Sequence, residues 1–441
     1  MASTSLSRTP SGGNNQIYTV SCWVKRTGLG SSTTVYSTGD TTANNNGRML
    51  FIGANDRIEI SYYNSGFTYE VITNRVLRDT NAWYHIVVAF DTTQATESDR
   101  IKIWVNGVQE TSLSASTYPS LNASFNFGSA THYIGDLGGR SIYSDFVLSH
   151  LHYIDGTTYD ADTFGETDST TGIWKPKTAP SVTYGTNGVF LKFENSGAFG
   201  TDSSGNGNNF TVSGTLTQTV DTPSNVFATL NALDNYYAGA TLSNGNTKSV
   251  TGTNPAQVLT TMGVSKGKWY WEVKATNLPS AYGTIGICPT SPTSTSNFIS
   301  SRANEYMYYS AGNLYYFGGS TGTYASYTTG DIIGVAMDLD NNRLFFSKNG
   351  TWQNSADPTT STGAYTITAP ASTDTGLYFP AVGYWDTGSG TLECNFGNGY
   401  FGTTPVSSAT SDESGLGIFE YTVPSGYYAL CTKNINEQEY A

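Results

Sequence analysis

Short apolar runs with a two-residue period recur along the whole chain, separated by Gly- and Asn-rich turns, and no stretch carries a helical apolar stripe. Residues 101–105 read IKIWV, with every second side chain on one face, and Asn106-Gly107 follows at once. An Asn-Gly pair between strands is a strong hairpin signal because both central residues of the turn need a positive φ. The pattern therefore predicts an all-β protein.

Apolar and aromatic runs elsewhere support the same fold class. Residues 83–90 read WYHIVVAF, which is apolar on both faces, as expected of a central strand covered on both sides. The aromatic share of 13% is enough to bury a core, which a disordered polar chain would lack. The even spacing of short strands favours β-sandwiches over alternating strands and helices.

Charge and hydropathy exclude several partner classes. The formal net charge is −13 and Lys and Arg form no cluster, so we expect no nucleic-acid partner. No apolar run approaches the roughly 20 residues that cross a bilayer, so we expect no membrane insertion. The first residues, MASTSLSRTPSGG, lack the apolar segment of a secretory signal, which predicts a product made in the cytoplasm.

The four cysteines are far apart in sequence and form no CxxC pair, which disfavours zinc. Their surroundings read as strand, so we expect buried free thiols. They are Cys22, Cys288, Cys394 and Cys431.

Composition divides the chain into three parts. Residues 1–225 form a first strand set that ends near the Pro- and Lys-rich WKPKTAP and includes a polar segment at 181–225. Residues 226–400 form a second strand set. Residues 401–441 begin Ser-, Thr- and Gly-rich and end in a strand-like segment at 418–434, so we expect a short C-terminal strand segment.

The second part resembles a SPRY domain. Three motifs in the family's order and spacing carry the match: GKWYWEV (267–273), GDIIGVAMDLDNNRLFFSKNGTW (330–352) and LYFPAVGYWDTGSGTLECNFG (377–397). The resemblance covers roughly residues 226–400. It implies a bent β-sandwich used for binding, with ligand loops that differ between members.

The first part resembles a laminin-G-like jelly roll of the concanavalin A type. Its motifs are YTVSCWVKR (18–26), AWYHIVVAFD (82–91), IKIWVNGVQ (101–109) and YIGDLGGRSIYSDFVLSHLHYIDG (133–156). A segment like residues 191–214 opens many family members but here follows the other strands. We infer a permuted arrangement in which residues 181–225 return to complete the first sandwich.

The combination resembles structural proteins of marine tailed bacteriophages, especially those that infect cyanobacteria. The most characteristic phrases are DTTQATESDRIKIWVNGVQ (91–109) and DSSGNGNNFT (202–211). The resemblance implies a virion component such as a fibre, spike or capsid decoration, and this step is analogy because fold does not fix function.

Enzyme chemistry finds little support, and we predict no catalytic residue. Glycoside hydrolysis needs two carboxyl groups flanking the bond, and no strand carries them at alternate positions. Asp338 and Asp340 lie at a hairpin turn, where Asp bonds its own backbone. Glu272 lies mid-strand, where the SPRY pattern accounts for it. No G-x-S-x-G elbow frames a serine.

The four histidines are better read as structural than as catalytic or metal-binding residues. His85 lies within an apolar strand, and nothing in the sequence assigns a role to His132. His150 and His152 are two residues apart and could share a sheet face as metal ligands, but no third ligand is evident.

Calcium is the better metal hypothesis, at the loop TDSSGNGNN. Oxygen-bearing side chains alternate there, as Ca²⁺ prefers, at Asp202, Ser204, Asn206 and Asn208. The loop carries one carboxylate, and Gly-Asn runs also form tight turns. Both interpretations stay open, and we assign no metal or cofactor residue.

A glycan site would use exposed aromatic rings beside hydrogen-bonding groups. The Tyr-rich stretch 305–327 is one candidate, although alternate tyrosines would also fill a sheet. Trp385 with Asp386, and Tyr236-Tyr237 in an expected loop, are others. None stands out, so no binding residue is assigned.

The leading hypothesis is a virion protein for host attachment, a tail fibre, spike or capsid appendage that binds cell-surface polysaccharide. The alternative is a purely architectural decoration or connector protein without a receptor. The expected partners are other virion proteins and host polysaccharide. A homo-oligomer is expected, and a trimer by analogy with fibres. The expected location is the virion, after synthesis in the host cytoplasm.

Overall fold

The computed structural model describes residues 3–42, 44–169, 172–237, 239–252, 255–290, 302–316, 319–321, 324–386 and 388–440. The chain forms two compact units. The first comprises Met1–Gln218 and Thr222–Ser224, and the second comprises Thr219–Asp221 and Asn225–Ala441. Within the described ranges, no helix combines the length and the apolarity that spanning a membrane requires.

The first unit is a sandwich of an eight-stranded and a six-stranded antiparallel sheet. The eight-stranded sheet runs, in spatial order, Leu113–Thr117, Phe67–Val76, Arg57–Tyr63, Asn46–Ile52, Thr33–Gly39, Thr131–Ile134, Ser5–Arg8 and Thr211–Ser213. The six-stranded sheet runs Val189–Leu191, Phe146–Asp155, Ile17–Arg26, Trp83–Asp91, Ile101–Val105 and Val108–Gln109. A two-stranded ribbon pairs Gly165–Thr167 with Trp174–Pro176.

Alternating side chains of both sheets meet in one core. Ile58 and Ile60 point inward from the larger sheet, and Val88 and Phe90 point inward from the smaller one. The hairpin after Val105 is closed by Asn106 and Gly107, whose φ values are 49° and 83°, as the Asn-Gly signal predicts.

Strand Trp83–Asp91 is buried on both faces, which explains its uninterrupted apolar sequence. Val87, on the face away from the core, packs with Ile154, Ala161 and Phe164 in a second cluster. The helix Ala161–Phe164 and the ribbon after it supply this cover.

The segment 181–225 contributes one edge strand to each sheet. Val189–Leu191 pairs with Phe146–Asp155, and Thr211–Ser213 pairs with Ser5–Arg8. Each sheet of the first unit therefore includes a strand from this late part of the sequence.

The second unit is also a two-sheet sandwich. One sheet has seven strands: Leu230–Tyr237, Ala256–Thr260, Phe379–Tyr384, Gly283–Cys288, Tyr306–Tyr309, Leu314–Tyr316 and Gly319–Thr321. The other has nine: Thr241–Ser243, Lys248–Val250, Thr391–Asn395, Lys268–Asn277, Ile332–Asp338, Arg343–Lys348 and Thr351–Trp352, with Tyr365–Thr366 and Tyr428–Ala429 attached to its inner strands. Trp269, Trp271 and Val335 share its core with Ile285 and Val382 of the seven-stranded sheet.

The expected C-terminal strand segment at 418–434 contains two short strands and the start of a helix that was not expected. The C-terminal residues form five two-residue strands and the helix Thr432–Tyr440. Tyr400–Phe401, Thr404–Pro405, Thr410–Ser411 and Ile418–Phe419 make two small ribbons, and Tyr428–Ala429 joins the nine-stranded sheet. The helix was not predicted because it has no apolar stripe; of its described side chains, that of Ile435 packs on the core. Short 3-10 helices occur at Glu97–Asp99, Gln353–Ser355 and Pro370–Ser372.

The C-terminal residues cover the outer face of the nine-stranded sheet. Phe419, Val423 and Tyr427 pack there against Tyr270 and Phe345 in a separate apolar cluster. This packing makes the residues after 400 part of the second compact unit.

All four cysteines are free and buried. Burial raises the pKa of each thiol above its ordinary value, which favours the protonated, unreactive form.

Candidate functional site

The two aspartates flagged for hydrolysis serve a turn. Asp338 is buried and accepts hydrogen bonds from the backbone N and the Nδ2 of Asn341, at 3.0 and 2.9 Å. Asp340 accepts from the backbone N of Gly267 at 2.9 Å. Asp338 therefore stabilises its own turn, as the turn interpretation describes, while Asp340 ties the turn to the residue that precedes strand Lys268–Asn277.

Glu272 anchors the C-terminal segment. Its Oε2 accepts from the backbone N of Glu420 and its Oε1 from the backbone N of Tyr421, both at 2.9 Å, and Tyr270 also donates to Oε1. Burial raises the pKa of Glu272 to about 7, although these hydrogen bonds act in the opposite direction. The carboxyl group is enclosed by protein on all sides and positions the backbone at residues 420–421.

His85 is buried with both ring nitrogens engaged. The indole N–H of Trp174 donates to Nδ1 at 3.0 Å, so Nε2 carries the proton and faces Ser21 Oγ at 3.0 Å. Burial lowers the pKa of His85 to about 3. A neutral histidine fixed in this way is part of the sheet's packing.

His150 and His152 lie at a strand irregularity that the sequence did not reveal. A β-bulge between Ser149 and His152 sets two residues opposite one on the neighbouring strand, and His150 has a φ of 48°. Leu151 then faces the core, while His152 stacks on Phe190 at a centroid distance of 4.0 Å. His150 also meets the Phe190 ring, tilted at a centroid distance of 6.3 Å, so both imidazoles lie against one side chain despite the bulge.

The loop flagged for calcium is a network of turn hydrogen bonds. Asp202 Oδ1 accepts from the backbone N of Phe190 and of Ser204, and Oδ2 accepts from Ser204 Oγ and the backbone N of Asn208, all within 2.9 Å. Asn206 Nδ2 donates to the carbonyl of Gly188 at 2.9 Å. Across the described ranges, no group of three or more His, Cys, Asp or Glu side chains is placed to hold a metal ion.

The Tyr-rich stretch mostly fills the sandwich. Tyr308 is buried, and its ring centre lies 5.0–5.3 Å from those of Tyr324, Tyr327 and Phe346. The rings of Tyr324 and Phe346 also meet, at 6.0 Å. Residues 317–318 and 322–323 of the stretch lie outside the described residues. Tyr236 was expected in a loop, but it lies in strand Leu230–Tyr237 opposite Gln257, because this segment forms the edge of the seven-stranded sheet.

Asp386 lies beside an aromatic group at the surface of the second unit. Ser280 donates to Asp386 Oδ2 at 2.6 Å and lies 2.7 Å from the hydroxyl of Tyr384. Nearby, Tyr282 is 40% exposed and meets Tyr309 edge-on at 5.8 Å. Trp385, the other residue flagged here, is 6% exposed and packs with the buried side chains.

A more open arrangement lies on the eight-stranded sheet of the first unit. Phe67 and Tyr63 are 46% and 37% exposed and meet edge-on at 5.4 Å. The guanidinium carbon of Arg48 lies 4.5 Å from the ring centre of Phe51 and 5.4 Å from that of Phe67. The guanidinium of Arg48 thus makes a cation–π contact with the Phe67 ring.

Two carboxylates stand next to these rings. Arg48 pairs with Glu59, whose Oε1 also accepts from Ser61 Oγ at 2.8 Å. Glu70 lies directly across from Ser61 on the adjacent strand. Burial is the main cause that raises the pKa of Glu70, and repulsion from the Glu59 carboxylate is the second. We call this set the Phe67 patch: Arg48, Phe51, Glu59, Ser61, Tyr63, Phe67 and Glu70.

The strand pairing explains why the patch forms. Ile58, Ile60 and Tyr62 face the core, so the intervening residues of RIEISYY face outward. Between Tyr63 and Phe67, the turn is fixed by Asn44, whose Oδ1 accepts from the backbone N of Ser65 at 2.8 Å. Sequence reasoning missed the patch because its members come from three strands and because register irregularities, between Arg48 and Phe51 and beside Tyr63, interrupt the alternation.

Comparison with known proteins gives two domain matches. Residues 2–152 match the model described as the concanavalin A-like lectin/glucanases superfamily, and residues 268–398 match the SPRY domain model. No curated protein matches the chain.

Solved structures to which the chain is similar include two human SPRY domains and stonustoxin. The SPRY domain of human HERC1 is 18% identical with a TM-score of 0.31, covering 37% of this chain and 96% of that one. A second human SPRY domain is 18% identical with a TM-score of 0.25, covering 34% and 90%. Stonustoxin is 17% identical with a TM-score of 0.28, covering 38% and 27%. Taken with the two sandwiches, the matches indicate two domain types along the chain: a concanavalin A-like domain of the laminin G type, then a SPRY domain.

Proposed function

We propose that the protein is a tailed-phage virion component that attaches the particle to its host by binding a cell-surface glycan through the Phe67 patch. The observation that carries the proposal is the pair of exposed rings, Phe67 and Tyr63, held beside Arg48, Glu59 and Glu70 on one sheet face. The phage-like phrases of the sequence supply the virion part of the proposal, and the lectin-like domain match agrees with a binding role.

The chemistry of the patch suits a sugar. A pyranose ring has an apolar C–H face, which packs on an aromatic ring, and a rim of hydroxyl groups, which need donors and acceptors. Phe67 supplies the flat apolar surface and Glu70 an acceptor, while the buried Ser61 donates to Glu59. Because these groups stand on paired strands, little conformational freedom is lost when a ligand binds.

Charge favours a neutral glycan over an acidic one. Arg48 is already paired with Glu59, which leaves Glu70 as the unbalanced charge of the patch. The whole chain carries a formal charge of −13. Sulfated or uronate-rich polysaccharide would be repelled by both, most strongly at low ionic strength.

The remaining elements of the proposal concern the particle. The partners are other virion proteins and the host polysaccharide, and the chain assembles as a homo-oligomer, a trimer by analogy with fibres. Multiple copies would raise the avidity of a weak sugar site, since each further contact becomes intramolecular.

Adsorption competition tests attachment directly. Purified protein is added to cyanobacterial cells before phage, free phage is counted, and labelled protein on the cells is measured. We expect wild-type protein to bind the cells and reduce adsorption, and Phe67→Ala to lose both effects. Val108→Ala is the matched control, because Val108 is a 60% exposed apolar residue on the other sheet of the same unit.

Two outcomes would contradict the proposal. Folded wild-type protein that neither binds cells nor reduces adsorption would favour the architectural alternative, a decoration or connector. Absence of the protein from purified virions, by mass spectrometry, would remove the virion assignment.

A further inference from the structure

The second unit contains a cleft of about 380 Å³ that the proposed function does not use. One wall is the hairpin and loop at 350–359, and the other is the C-terminal segment at 421–425. Its lining includes Trp352, Asp357, Thr359, Tyr421 and Ser425.

Buried contacts hold the two walls in position. The backbone N of Tyr421 donates to the buried carboxyl group of Glu272 at 2.9 Å, so strand Lys268–Asn277 fixes the C-terminal wall. On the other wall, Trp352 meets the rings of Tyr270 and Phe345 at centroid distances of 6.4 and 6.5 Å. The cleft is therefore built by packing, and a ligand would not need to order it.

A glycine makes room for the aromatic wall. Gly350 has a φ of +78°, and a Cβ there would lie 2.6 Å from Cδ1 of Tyr421. The Tyr421 ring therefore packs directly on the backbone of the hairpin turn.

The lining combines flat apolar groups with oxygen-bearing ones. Trp352, Tyr421 and Pro424 present rings, while Asp357, Thr359 and Ser425 present a carboxylate and hydroxyls. Asp357 Oδ1 accepts from the backbone N and the Oγ1 of Thr359, at 2.9 and 2.6 Å, which orients the carboxylate. No Lys, Arg or His stands among the residues lining this cleft, so an anionic ligand would find no counter-charge.

We propose that this cleft is a second saccharide site, which takes a neutral pyranose unit of an oligosaccharide. Its volume falls within the range of about 300–1,000 Å³ that is usual for small-ligand sites. The ring of the sugar lies against Trp352 and Tyr421, and its hydroxyls bond to Asp357, Thr359 and Ser425. The inference goes beyond the attachment proposal, because it does not require the Phe67 patch to bind.

Saturation-transfer NMR on the full chain tests the cleft, with D-glucose, D-galactose, D-mannose and N-acetyl-D-glucosamine as probes at millimolar concentration. The Phe67→Ala background removes the contribution expected from the first unit. In that background we expect saturable binding of at least one sugar. Adding Tyr421→Ala should weaken this binding by about tenfold or more, equivalent to about 1.4 kcal/mol.

A second variant distinguishes a lost sugar contact from a misfolded cleft. Asp357→Asn changes a partly exposed carboxylate, should leave the fold intact, and should weaken binding of the same sugar several-fold. Tyr400→Ala, a half-buried tyrosine outside the cleft, is the control and should bind like the background. Absence of sugar binding in the Phe67→Ala background, or equal binding by all variants, would overturn the cleft proposal. Binding by wild type alone would leave the Phe67 patch as the saccharide site.

Discussion

The phenol of Tyr36 donates a hydrogen bond to Nδ1 of His132 across 2.7 Å in the core of the first unit. The direction is fixed because Nε2 of His132 lies 2.7 Å from the carbonyl oxygen of Phe127, which can only accept. Tyr153 closes the site edge-on to the imidazole at 4.9 Å. The ring is therefore neutral in the folded protein, and burial lowers the pKa of His132 to about 4.

Lowering the pH should destabilise the protein through His132. Between its unfolded pKa near 6.5 and its folded pKa of about 4, the unfolded state binds more protons, so the free energy of unfolding falls as the pH falls. The full shift corresponds to about 3 kcal/mol. Urea unfolding at a series of pH values measures it. His132→Gln should be less stable than wild type near neutral pH, but its free energy of unfolding should fall less as the pH is lowered. If the free energy of unfolding falls equally in both proteins, His132 is not the cause.

Glu272→Gln should loosen the C-terminal segment. An amide offers one acceptor oxygen where the carboxyl group accepts backbone N–H groups from Glu420 and Tyr421 on different oxygens, so one donor loses its partner. The expected cost is about 1–3 kcal/mol. Hydrogen exchange at these two amides should accelerate. Glu437→Gln, an exposed glutamate of the C-terminal helix, is the control, and unchanged exchange in Glu272→Gln would contradict the anchoring role.

The pH dependence of Glu272 should run opposite to that of His132. Burial raises the pKa of Glu272 to about 7, so the folded state binds more protons than the unfolded state between about 4.5 and 7. Its contribution to stability is present below the unfolded pKa and is lost as the pH rises through the folded one. The stability advantage of wild type over Glu272→Gln should therefore shrink from acid towards alkaline pH. A stability difference between the two proteins that does not change with pH would contradict the raised pKa of Glu272.

The sandwich fold could be predicted because its determinants are local. Alternation in IKIWV, the Asn106-Gly107 turn and the apolar strand at 83–90 each specify structure within a few residues. The terminal helix could not be predicted in this way, because it depends on the contact of Ile435 with a core distant in sequence.

The candidate sites depend on pairing across strands. Glu70 faces Ser61 only once the register of the two strands is known, and Arg48 reaches Phe67 from a third. The bulge at His150 shows the same limit, since one extra residue interrupts the alternation that a single sequence suggests.

Gly107→Ala should destabilise the first unit. Gly107 has a φ of +83°, and a Cβ there would lie 2.8 Å from the Trp174 ring, so both backbone strain and a clash result. We expect a loss of about 1–3 kcal/mol in the free energy of unfolding. Gly66→Ala is the control, because a Cβ at Gly66 meets no atom within 4 Å. Equal stability of the two variants would contradict the packing of Trp174 on this turn.

Removing calcium should leave stability unchanged if the loop at Asp202 is a turn. Each carboxylate oxygen of Asp202 already accepts two hydrogen bonds from the protein, which occupies both of its lone-pair positions. Thermal unfolding with a chelator and with added Ca²⁺ should therefore coincide. Asp202→Ala should lower the melting temperature in both conditions, because the backbone N of Phe190 and of Asn208 would lose their acceptor. A melting temperature that rises with Ca²⁺ in wild type but not in Asp202→Ala would establish the metal site instead.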